Sequence, residues 1–125
     1  VQGGKRPRSS MAPTVVLKEG KPFLITGSPG GSRIISYVAR TILNVLEWGL
    51  DPQAAINSGH IVNRNGVTEL EEGTDAINLK EGLESLGHKV KIRNLNSGLH
   101  SILFAQDGTL IGAADPRREG LVMGE

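Results

Sequence analysis

Residues 23 to 48 constrain the fold most: an apolar, β-rich run, "FLIT", breaks at "GSPGGSR" and gives way to a helical repeat. Ile34, Val38, Ile42, Val45 and Leu46 recur at steps of three and four, with Ile35 widening the stripe. That spacing predicts a helix from about Arg33 to Trp48, with Ser32 capping its start and Gly49 ending it. A strand that enters a helix through adjacent glycines presents free backbone N–H groups at a positive helix start. Such a place suits an anion, a carbonyl oxygen turning anionic, or a closely packed neighbour. Phosphate fits poorly. A Walker loop needs lysine ahead of its hydroxyl residue, but Ser32 here is followed by Arg33, and Pro29 stands where a dinucleotide fingerprint needs glycine. An oxyanion hole formed by Gly30 and Gly31, or a tight strand-to-helix connection, remain as readings.

The flanking sequence supplies the rest of the architecture. Residues 1–13 are turn chemistry and form an extended loop. Thr14 to Lys18 and Phe23 to Thr26 read as a hairpin around Glu19-Gly20-Lys21-Pro22. Asp51-Pro52 opens a short helix through about Asn57, and Asn65-Gly66 marks a two-residue hairpin turn. Thr74 and Asp75 open a third helix, with Ile77, Leu83 and Leu86 on one face and Gly87 at its end. "HKVKIRNL" alternates as a strand. A last hairpin turns at Gln106-Asp107-Gly108, with Ile102, Phe104, Leu110 and Ala113 among its apolar positions. Hairpins interleaved with helices imply an α+β chain, mostly antiparallel sheet with helices packed on it, in a single domain spanning 1–125.

Composition removes several functions. The only aromatic residues are Phe23, Tyr37, Trp48 and Phe104, so the core must be aliphatic. Without cysteine there is no disulfide, thiolate nucleophile or Cys-based zinc site. His60, His88 and His100 lie apart, each expected at a surface or hairpin, and no metal or other cofactor is expected. The net charge of +1, with Lys5, Arg6 and Arg8 near the start, forms no basic stripe for nucleic acid. No apolar run approaches the ~20 residues that span a bilayer. Glu69, Glu71 and Glu72 read as a solvated face, and Asp115-Pro116-Arg117 as a turn that pairs internally. The adjacent hydroxyls of Ser9 and Ser10 can hold a carboxylate by two hydrogen bonds or serve as solvated turn residues. Neither serine, nor Ser28, sits in a G-x-S-x-G elbow. A chain that opens at Val1 on loop sequence, without an initiating Met, is expected to be the interior of a longer polypeptide.

Taken in order, "KRPRSSMAPTVVLKEGKPFLITGSPGGSRI", the long helix, "LESLGHKV" and "DGTLIGAADPR" resemble the C-terminal part of the small subunit of the gamma-glutamyltranspeptidase family. The resemblance runs from about Lys5 to Arg117. It implies a fragment of the αββα N-terminal-nucleophile sandwich, made as a precursor that cuts itself into large and small subunits. The implied activity moves the γ-glutamyl group of glutathione or related amides to water or an amino acceptor, in a periplasmic or secreted enzyme. Carried over, Ser9 and Ser10 would contact the α-carboxylate end of the glutamyl group, and Gly30 and Gly31 would offer N–H groups to the oxyanion. The family's threonine nucleophile would precede Val1, so neither Thr14 nor Thr26 inherits its role and the chain is expected to be inactive alone. Its partners would be the large subunit and the rest of the small one, or a second copy across unpaired sheet edges. Two departures stand out. Arg8 occupies a place where the family usually has an apolar residue, and residues 58–65, "SGHIVNRN", replace an Ala-Pro-Arg-Phe/Ile-His-like stretch. The alternative readings are a non-catalytic binding or assembly module that kept the fold, and, more weakly, a nucleotide-binding domain using the glycine loop.

Overall fold

The computed structural model describes residues 2–124. Residues 2–13 carry no helix or strand, as their turn chemistry demands. β1 (Thr14–Lys18) and β2 (Lys21–Gly27) form the expected hairpin with a shorter turn: Lys21 and Pro22 pair within β2, and Glu19 and Gly20 alone close it at φ 53° and 76°. Two successive left-handed residues give the turn a twist that matches the strands. α1 (Ile34–Leu46) and α2 (Pro52–Asn57) follow, then β3 (Ile61–Asn63), β4 (Thr68–Glu71), α3 (Lys80–Ser85), β5 (Val90–Arg93), β6 (His100–Phe104) and β7 (Leu110–Ala114). The larger sheet has the order β1-β2-β6-β7 and is antiparallel throughout; the smaller is β3-β4-β5. Its β4 and β5 pair in parallel, which is possible because α3 and the 3-10 turn before it form the crossover.

α1 buries Ile34, Tyr37, Val38, Thr41, Asn44 and Val45, a face rotated from the apolar stripe read in the sequence. Ile35 and Leu46 are exposed instead. Polar residues occupy the inner face because they are satisfied there: Thr41 Oγ1 donates to Tyr37 O at 3.0 Å, and Asn44 Nδ2 to Ala55 O at 3.0 Å. The helix ends near Gly49, at φ 66°, as expected. α2 starts as its sequence dictates, with Asp51 Oδ1 accepting from the N–H groups of Gln53 and Ala54, both at 3.0 Å. Its Gln53 side chain then clamps β7, donating to Ala114 O and accepting from Ala114 N.

Three local expectations change. Ser32 lies inside a 3-10 turn, Gly31–Arg33, and caps nothing. The β3–β4 loop spans residues 64–67 rather than two residues, because Asn63 Nδ2 holds Gly66 O and widens the turn. The third helix divides into a 3-10 turn, Asp75–Leu79, and α3, and its Ile77 and Leu86 face solvent.

Alternation along the larger sheet separates its two faces. Leu24, Thr26, Ser101 and Ala113 are buried on the side covered by the helices. The opposite side exposes a cross-strand row of Val15, Ile25 and Ile102, with Leu17 and Leu110 beyond it. A sheet apolar on both faces and covered on one is half of a layered fold.

Candidate functional site

The two central glycines of the loop are bare for different reasons. At Gly30 (φ 142°) an added Cβ would lie 2.8 Å from Tyr37 Cε2 and 3.1 Å from Cδ2, so the ring itself excludes a side chain. At Gly31 (φ 59°) a Cβ would meet nothing within 4 Å. Gly31 is therefore glycine for its left-handed backbone, beside open space. The loop is pinned from behind. Gly98 packs so closely on Pro29 that its Cβ would come within 2.8 Å of Cγ, and its N–H donates to Ser28 Oγ at 3.2 Å.

A cavity of about 260 Å³ opens over this turn, lined by Arg8, Ser10, Gly31 and Ser32. The fold thus brings Ser10 and Gly31 to one place. Ser9 is not part of that lining; it is exposed, and its hydroxyl accepts from Met11 N at 3.2 Å. Gly30 sits behind, against Tyr37.

Beside the cavity, Glu69 gathers three arginines. Arg33 reaches it with two nitrogens, at 2.7 and 3.0 Å, Arg93 at 2.9 Å and Arg64 at 3.6 Å. Arg64 also donates to Ser32 Oγ at 2.6 Å, which is what that hydroxyl does in place of capping. Glu69 is buried, so the solvated-face reading fails for it. The Arg33 hydrogen bond, outweighing desolvation, holds its carboxyl at about 2.

Glu71 is buried as well, in a second network. Its carboxylate accepts from Arg117 Nε and Nη2 and from His60 N. Arg117 also pairs with Asp115 at 3.1 Å, so the Asp-Pro-Arg turn does pair internally. His60 is buried too, against expectation. Its ring lies 4.3 Å from that of Tyr37, and its Nε2 is 2.6 Å from Ser97 Oγ, which donates to Asp115 Oδ2. Because the Ser97 proton goes to Asp115, His60 Nε2 carries the hydrogen and its Nδ1 is left without a partner among the described residues. The serine stands between histidine and aspartate and is fully buried, so this trio cannot present a nucleophile. It ties together the chain segments flanking β3, β6 and β7.

Burial, with Arg117 nearby, pulls His60 to about 4 from 6.5. Between those values the unfolded chain binds the proton and the folded chain does not, so stability falls as pH drops through that window. Glu69, depressed from 4.5 to about 2, extends the loss to lower pH. A urea-midpoint series against pH should show both limbs, and His60→Gln should flatten the upper one alone. An upper limb unchanged in that variant would remove His60 as its origin.

A helix-backed antiparallel sheet with a bare apolar outer face is one half of a layer pair, the N-terminal-nucleophile fold of the gamma-glutamyltranspeptidases that superpose on it. The chain belongs to the gamma-glutamyltranspeptidase family, whose model matches residues 1–125. It is 44% identical over 115 residues to the glutathione hydrolase proenzyme of Escherichia coli K12, covering 90% of this chain and 20% of that protein. With the glutathione hydrolase proenzyme of Bacillus subtilis it shares 39% identity over 127 residues, covering 99% and 22%. A Helicobacter pylori gamma-glutamyltranspeptidase mutant superposes with TM-score 0.85 at 31% identity, covering 94% of this chain and 66% of that one. The Bacillus anthracis transpeptidase CapD follows at TM-score 0.80 and 28% identity, covering 98% and 75%. The chain spans about a fifth of the length of the curated relatives it matches. Among the described residues no helix is long and apolar enough to cross a membrane, and no cluster of three His, Asp or Glu could hold a metal.

Proposed function

We propose that this chain supplies the glutamyl-binding and oxyanion-stabilising part of a γ-glutamyl transferase or hydrolase acting on glutathione and γ-glutamyl amides. The observation that carries the reading is the cavity shared by Ser10 and Gly31. A hydroxyl there can donate to the glutamyl α-carboxylate, while the first amides of the 3-10 turn, unpaired within it, face a carbonyl oxygen as it becomes anionic. Ser9 joins through its hydroxyl proton, free to donate while its oxygen accepts from Met11 N, and Gly30 adds its own N–H. The relatives named glutathione hydrolase support the donor class.

The nucleophile comes from elsewhere in the full-length protein. An N-terminal threonine uses its own α-amine as base. Thr26 is buried mid-strand, accepting from Ser101 Oγ at 2.8 Å, and Thr14 donates to Ala12 O at 3.0 Å. The large subunit and the remaining strands of the small one complete the site and cover the bare sheet face, in a periplasmic or secreted enzyme.

The test compares the full-length protein with its Ser10→Ala variant on a γ-glutamyl anilide. Losing a hydrogen bond to a charged group costs about 1.5–3 kcal/mol, so KM should rise roughly ten- to hundredfold, with kcat less affected. The isolated chain should show no turnover. Wild-type KM in the variant would overturn the serine's role, and an inactive full-length protein would favour a non-catalytic module.

A further inference from the structure

The two departures from the family pattern, Arg8 and the 58–65 stretch, meet at one cavity. Arg8 lines it with Ser10, and Arg64 lies at its edge, donating to the lining Ser32 Oγ at 2.6 Å. The charge there is not balanced. Glu69 is the one carboxylate in ion-pair contact with Arg33, Arg64 and Arg93 among the described residues. Its oxygens are occupied by Arg33 and Arg93 at 2.7 to 3.0 Å, leaving Arg64 at 3.6 Å. Three guanidiniums thus share one negative charge, and Arg8 adds a further positive one. The Arg64 fork is held at Ser32 by one nitrogen and is exposed, the arrangement of a guanidinium open to a carboxylate.

We propose that Arg8 and Arg64 form a subsite for a carboxylate on the leaving-group side of the donor, such as the terminal glycine carboxylate of glutathione. Ser10 serves the glutamyl end, while the anchor for the other end is Arg64, tied to the lining residue Ser32 next to Gly31, with Arg8 lining the same cavity. A substrate with its reacting carbonyl at Gly31 then places its two ends toward different anchors. The inference rests on the γ-glutamyl reading above and adds a specificity to it.

The test uses the full-length protein and two donors, glutathione and glutathione amidated at its terminal carboxyl. Wild type should favour the free carboxylate in kcat/KM by roughly tenfold, a preference that shrinks as salt is raised. Arg64→Gln should bring the ratio several-fold closer to one, and Arg64→Lys should retain part of it through charge without the fork. Melting curves confirm that each variant is folded. Turnover of neither donor by wild type would overturn the γ-glutamyl reading and the subsite with it. Turnover of both, with a ratio that Arg64→Gln leaves in place, would overturn the subsite alone. Equal losses on the two donors would also overturn it, by assigning Arg64 to the glutamyl end.

Discussion

Arg117→Met is expected to remove a large share of the stability of this fold, about 3–5 kcal/mol of the ~5–15 that a domain has. The guanidinium is the only cation in ion-pair contact with Glu71 or Asp115 among the described residues, and those side chains are 8% and 0% exposed. It also donates to Ile56 O at 2.9 Å and Ser58 O at 3.1 Å, closing the C-terminal end of α2. Methionine fills a similar volume yet leaves two buried carboxylates without countercharge and two carbonyls without a donor. The carboxyls then take up protons or the region opens to water. A urea titration followed by circular dichroism should show the midpoint falling sharply. Adding Glu71→Gln and Asp115→Asn to Arg117→Met should restore part of the loss, since the penalty lies in the stranded charges. A loss under about 1 kcal/mol would mean that the network is solvated, like a surface pair.

That network also shows where the sequence was silent. "ELEEG" reads as a solvated run because, Arg64 apart, nothing near it in the chain opposes its charge. The partners lie 24, 36 and 46 residues away, in β5, the glycine turn and the last loop. His60 was hidden for the same reason: its neighbours Ser97 and Tyr37 come from other elements. Local chemistry, by contrast, was legible. Asp51-Pro52, Glu19-Gly20 and Gly108 act within a few residues, and the elements they bound lie within two residues of where the sequence puts them. The face of α1 lay between these cases. A hydrophobic count cannot see that Thr41 and Asn44 satisfy themselves inward, so it placed Ile35 and Leu46 in the core. The site itself was legible only as motifs. Spacing proposed Gly30 and Gly31 and left their purpose open, and the Ser10–Gly31 cavity required the loop to fold across the turn.

Gly31→Val in the full-length protein is expected to lower kcat about 10²- to 10³-fold with little change in KM, the usual cost of losing one oxyanion donor. The reason is conformational. No atom lies within 4 Å of an added Cβ, so the first carbon of a side chain meets no clash here. Valine, branched at Cβ, does not hold the φ of 59° seen at Gly31, and reverting to negative φ re-aims the peptide N–H on which the proposed oxyanion role depends. Gly31→Ala separates the two effects. Alanine can keep the left-handed conformation at a cost of about 1–2 kcal/mol in stability, so its N–H stays aimed and kcat should remain near wild type. Gly30→Ala should behave differently from both, because its Cβ meets the Tyr37 ring at 2.8 Å and the core must move. There the melting temperature and kcat should fall together. A folded Gly31→Val enzyme with wild-type kcat would take the oxyanion role from this residue and leave the adjacent glycines explained by Tyr37 and the turn alone.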